Sequence, residues 1–77
     1  MSSKKPVSVT AVRFTQSLEV VPKRIEFDGI SYDLNTDYKK INLEGDEGRS
    51  TLFDVSDGAR RFRLRQEEQP FTWWLLG

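Results

Sequence analysis

The sequence predicts an all-β domain, a small antiparallel meander or SH3-like, partly open barrel of five to six strands. Two Asp-Gly dipeptides, Asp28-Gly29 and Asp57-Gly58, each lie between short runs of alternating apolar and polar residues. Such a dipeptide is the strongest short-range hairpin signal, because a type I′ turn needs positive φ at both central positions, which Asp tolerates and Gly adopts freely. The third observation is the C-terminal run Phe71-Thr72-Trp73-Trp74-Leu75-Leu76, which is apolar on both faces of a strand. Closing the sheet on itself would cover that strand and remove exposed edges.

The N-terminal residues 1–6 read as a flexible tail, and residues 7–77 as a single small β domain. Val7 to Phe14 is rich in β-branched residues and forms the first expected strand. Its alternation changes phase between Ala11 and Val12, as a β-bulge would cause. Thr15 to Val21 is ambiguous: Phe14, Leu18 and Val21 fall at helical spacing, whereas Val20-Val21-Pro22 favours extended chain. Extended structure or one loose turn is the expectation.

The first hairpin runs from Lys23 to Leu34. A two-residue loop at Asp28-Gly29 pairs Phe27 with Ile30, Glu26 with Ser31, Ile25 with Tyr32 and Arg24 with Asp33. One face then carries Ile25, Phe27, Ile30, Tyr32 and Leu34, and the other is polar with an opposed charge pair. Between the hairpins, Tyr38, Ile41 and Leu43 stand among polar residues. The start of that segment extends a strand, and Glu44-Gly45-Asp46-Glu47-Gly48 reads as a loop.

The same two-residue register in the second hairpin, Thr51 to Gln66, sets Phe53 opposite Phe62, Asp54 opposite Arg61 and Val55 opposite Arg60. Phe53, Val55, Phe62 and Leu64 form its apolar face. Arg61, Arg63 and Arg65 occupy successive positions on the reverse face, with Leu52 and Asp54 across from them. In the last strand Phe71, Trp73 and Leu75 share one side and Trp74 and Leu76 the other, so only one Trp enters the core. Phe27, Tyr32, Phe53, Phe62 and that Trp are the expected core aromatics.

The Pro22-Lys23-Arg24-Ile25-Glu26-Phe27-Asp28-Gly29-Ile30-Ser31-Tyr32 stretch is followed by Phe53-Asp54-Val55, Phe62-Arg63-Leu64 and a closing Trp73-Trp74-Leu75. This arrangement resembles a group of small uncharacterised bacterial all-β proteins with a Pro-led Gly/Tyr hairpin and a Trp-rich terminal strand. The resemblance spans residues 22–76. It implies a small β fold and a bacterial or phage-like origin, and transfers no function.

Composition narrows the chemistry. A 77-residue chain buries only about 60% of the surface its unfolded form exposes, so its core must be compact and aromatic. With no Cys and no His, the chain lacks a disulfide staple, thiolate ligands, the commonest metal ligand and the usual general base. Glu44 to Gly48 lacks the ligand spacing of a calcium loop, and Gly45 and Gly48 flank acids that repel phosphate. No catalytic, cofactor-binding or metal site is expected, and no small-molecule substrate.

Twelve basic and twelve acidic residues cancel, which argues against a broad polyanion binder. The N-terminus is charged and lacks an apolar h-region, and no run reaches membrane-spanning length, so the expectation is a cytoplasmic protein. The leading expectation is a non-enzymatic protein-interaction module or accessory subunit, with another protein or a second copy as partner. Its contact would be an open sheet edge or one face of the Trp73-Trp74 strand. The alternative is single-stranded nucleic-acid binding by Arg61, Arg63 and Arg65, aided by Lys4, Lys5, Arg13 and an exposed aromatic.

Overall fold

A computed structural model describes residues 4–45, 48–68 and 71–76. It is all-β and consists of two antiparallel sheets that do not close into a barrel. Eight strands run in order: β1 (Lys4–Pro6), β2 (Ser8–Phe14), β3 (Val20–Phe27), β4 (Ile30–Asp33), β5 (Lys39–Gly45), β6 (Gly48–Ser56), β7 (Arg61–Glu68) and β8 (Phe71–Leu76). One sheet has the order β1-β8-β7-β6-β5, the other β2-β3-β4. The chain crosses between them at buried Val7 and returns after β4.

Lys4–Pro6 is therefore a strand and not part of a tail, while residues 1–3 lie outside the described residues. The apolar strand β8 needs a neighbour on each side, and β1 supplies one, with Lys5 opposite Leu75 and Pro6 opposite Trp74. The Val7 amide donates to the Trp73 carbonyl at 3.3 Å. Hydrogen-bonded and open pairs alternate along the ladder, so the position of Pro6 is one whose nitrogen faces away from β8 and loses no bond.

The expected bulge in β2 is present, as register shifts between Val9 and Ala11 and between Ala11 and Val12. Pro22 lies within β3, opposite Val12 beside that shift and beyond the Arg24–Phe27 stretch that pairs with β4. An irregular ladder is where a strand tolerates a missing donor. The turn Thr15 to Glu19 joins β2 to β3, with Leu18 amide to Thr15 carbonyl at 2.9 Å and Thr15 amide to Glu19 carbonyl at 3.0 Å. Leu18 takes φ 64°, a left-handed position that costs a bulky residue about 1–2 kcal/mol.

The first Asp-Gly hairpin has the expected register, from Phe27 opposite Ile30 to Arg24 opposite Asp33. The second departs from it: Val55 faces Phe62, Asp54 faces Arg63 and Phe53 faces Leu64. Its loop spans Asp57 to Arg60, closed by the Asp57 amide on the Arg60 carbonyl at 3.2 Å. The displacement is an even number of positions, so the face assignment survives. Phe53, Val55, Phe62 and Leu64 are all buried.

The expected loop at residues 44–48 is also narrower than read. Glu44 and Gly45 end β5, Gly48 begins β6, and the pair builds a hairpin of seven matched positions. Asp46 and Glu47 lie outside the described residues.

The two sheets meet across Val21 and Ile25 on one side and Phe53, Val55, Phe62 and Leu64 on the other. Phe27 stacks on Tyr32 at 5.0 Å, and both rings meet Phe62, at 6.0 and 5.1 Å. Trp73 packs 5.6 Å from Phe53 and is the Trp that joins the core. Ile30 is the exception on the first hairpin's apolar face, since it is exposed beside the turn.

Candidate functional site

Strand alternation decides what the five-stranded sheet shows to the outside. Phe53, Leu64 and Trp73 point at the core, so their sequence neighbours Leu52, Asp54, Arg63, Arg65 and Trp74 point away. The registers align these outward residues into rows across the strands. One row runs Pro6, Trp74, Arg65, Leu52 and Ile41, and the next runs Lys4, Leu76, Arg63, Asp54 and Lys39. Ile41 and Leu43, on the outermost strand, are 52% and 39% exposed.

The expected arginine stripe is on this face, and Trp74 stands directly opposite Arg65. Its charges are partly engaged. Arg63 Nε donates to Asp54 Oδ1 at 3.1 Å, and Lys4 Nζ donates to Glu67 Oε1 at 3.1 Å while sitting 4.2 Å from the Trp74 ring centre. The Trp74 indole N–H donates to Thr72 Oγ1 at 3.1 Å. Arg65 lies half-buried between Trp74 and Leu52, and its Nε is buried without a hydrogen-bond partner among the described residues. A charged donor in that position is unfavourable unless something compensates it.

Two residues grouped with the stripe in the sequence do not join it. Arg13 belongs to the three-stranded sheet, where it donates to the Thr36 carbonyl and lies 5.7 Å from the Tyr38 ring centre. Lys5 shares the register position of Leu75, on the other side of β1 from Lys4. The outward face therefore carries Lys4, Lys39, Arg61, Arg63 and Arg65 against Asp54 and Glu67.

A second exposed apolar cluster was not singled out in the sequence. Phe14 pairs with Val20 at the end of the β2–β3 hairpin, and both are exposed, as is Leu18 in the intervening turn at 80%. Its only sequence signal was the helical spacing of Phe14 and Leu18, which pointed to the wrong element.

Two perturbed groups belong to hairpins, not to this face. The Arg24 guanidinium is held above its usual range by its hydrogen bond to Asp33, at 2.7 Å. The Asp57 carboxyl is held below the usual carboxylate range by the amides of Arg60 and Ala59, which donate to Oδ1 at 2.7 and 2.8 Å. Among the described residues, no three acidic side chains come together as metal ligands, and no helix is long and apolar enough to cross a membrane.

In comparisons with known proteins, no family model matches the chain, and no curated protein and no solved structure matches it.

Proposed function

We propose that this chain is a non-enzymatic, cytoplasmic protein-interaction module or accessory subunit whose contact surface is the outward face of its five-stranded sheet. The observation that carries the reading is the row Trp74, Arg65, Leu52 and Ile41, an aromatic, an arginine and two aliphatics in register on one uncovered face. Trp and Arg are the residue types that dominate binding energy at interfaces, and aliphatic neighbours exclude water round them. The unpaired Arg65 Nε fits a surface whose polar groups are completed or rigidified by a partner. Small β domains without evident chemistry commonly serve as adaptors, and that support is analogy.

The test compares wild-type protein with a Trp74→Ser/Ile41→Ser variant, both immobilised and exposed to cell lysate, after amide spectra establish that both are folded. Proteins retained by the first and lost by the second support the reading. Identical retention removes this face as the contact.

Nucleic-acid binding keeps one observation in its favour: Trp74 lies on the same face as Arg61, Arg63 and Arg65, which is the arrangement a stacked base and a bound phosphate require. Asp54 and Glu67 already occupy Arg63 and Lys4, which weakens it. Titration with a degenerate single-stranded oligonucleotide decides the matter. Salt-reversible shifts at the three arginines and the Trp74 indole would place it first.

A further inference from the structure

We propose that β5 pairs antiparallel with β5 of a second copy of this chain, about a two-fold axis at Asn42, joining two five-stranded sheets into one. The inference concerns the edge of the sheet and goes beyond the reading of its face.

The two sheets end in four edge strands, β1, β5, β2 and β4. Natural sheets protect their edges with short strands, proline or bulges. Three of these edges are so protected: β1 is three residues long and holds Pro6, β4 is four residues long, and register shifts break β2. By contrast β5 has seven residues, no proline and an unbroken register with β6. It is exposed at every position except Lys40.

Backbone directions follow from the ladder. The Asp57–Arg60 hydrogen bond closes the β6–β7 hairpin, so alternation directs Thr51, Phe53 and Val55 towards β7 and Ser50, Leu52 and Asp54 towards β5. The partners of the latter, Leu43, Ile41 and Lys39, bond to β6. Lys40, Asn42 and Glu44 are left with their N–H and C=O groups aimed at the open edge.

The side chains of β5 are self-complementary in one register. A two-fold axis at Asn42 sets Lys40 opposite Glu44 of the second copy, twice by symmetry, and Ile41 opposite Leu43 on the outward face. Moving the axis by one residue sets a charge against Asn42 instead. Within one copy Glu44 already meets Arg49 at 3.4 Å and Lys40 meets Glu19 at 3.5 Å. Pairing therefore extends these contacts into a run of alternating charge, Arg49, Glu44, then Lys40 and Glu19 of the second copy. Opposed charges across strands are favourable and like charges are not.

The test is sedimentation equilibrium of the full chain from micromolar to millimolar concentration. Self-association to a dimer is expected, and a monomer at every concentration overturns the proposal. Asn42→Pro removes an N–H that β6 does not use, so the fold persists and dimerisation is lost; a dimer that survives this change overturns the proposal. Lys40→Glu and Glu44→Lys each weaken association about tenfold, and the double reversal restores it; failure to restore rejects the register. Hydrogen exchange of the wild-type chain needs no variant: the amides of Lys40, Asn42 and Glu44 gain protection as concentration rises, and protection that does not change with concentration also overturns the pairing.

Discussion

In the β3–β4 hairpin Asp28 and Gly29 stand at φ 53° and 75°, and the strands close on them with Phe27 opposite Ile30. The β6–β7 hairpin contains the same dipeptide, yet only Gly58 is left-handed, at φ 98°, and Ser56 pairs with Arg61. The difference lies in what the Asp does. Asp28 serves as a turn backbone, whereas the Asp57 side chain accepts hydrogen bonds from Ala59 and Arg60, and Ser56 Oγ accepts from the Gly58 amide. A side-chain acceptor competes with the tight backbone turn and stabilises a longer loop in its place. An Asp-Gly pair thus predicts a hairpin more securely than it predicts a register.

The largest effects should come from what each hairpin buries. Phe62 is 7% exposed in the second hairpin and contacts both rings of the first, whereas Phe27 is half-buried. Phe62→Ala should cost about 3–5 kcal/mol, most of the stability of a domain this small. Phe27→Ala should cost less, about 2 kcal/mol. Urea unfolding of the two variants measures both values, and equal losses would mean that the hairpins share the core equally.

These two residues also show what could be read in advance. Their inward placement follows from period-two alternation, which needs no long-range information, and the outward placement of Arg61, Arg63 and Arg65 follows for the same reason. The second register was misread by two positions, a displacement that alternation cannot detect because it leaves the faces unchanged. Strand β5 was only partly legible: Ile41 and Leu43 alternate with Lys40, Asn42 and Glu44, but its end, Glu44-Gly45, has the composition of a loop and is held in the strand by pairing with β6. Strand β1 was illegible, because three residues acquire a strand role only through β8, which lies at the far end of the chain. The meeting of Lys4 with Trp74 and Glu67 is likewise long-range and had no local signal.

A smaller effect separates the turns themselves. A Cβ at Gly29 meets nothing within 4 Å, and one at Gly58 meets only Asn35 Nδ2 at 3.8 Å, so any penalty at either position is conformational. Gly29 is near the left-handed basin that Asn enters readily, and Gly58 is further from it. Gly29→Asn should therefore change stability by less than about 0.5 kcal/mol, while Gly58→Asn should cost about 1 kcal/mol. Val should be poorly accepted at both, since β-branched residues are the least suited to positive φ. Thermal melts of the four variants rank them, and an Asn accepted equally well at both sites would erase the distinction between the turns.

The smallest effect has a definite sign. The amides of Arg60 and Ala59 hold the Asp57 carboxyl below its ordinary range in the folded chain, so the unfolded chain binds a proton at a higher pH than the folded one. The stabilisation that follows is complete above the ordinary carboxylate pKa and is lost as pH falls through the depressed folded value. Because Asp57 lies in a surface loop and is only partly buried, the effect on the whole molecule should be slight, and its signature should be local. The side-chain carboxyl carbon of Asp57 should titrate below the ordinary Asp range, and exchange of the Ala59 and Arg60 amides should quicken relative to neighbouring β7 amides as that proton goes on. A titration midpoint for Asp57 in the ordinary range would mean that its carboxylate does not hold the longer loop, and that some other feature separates the two turns.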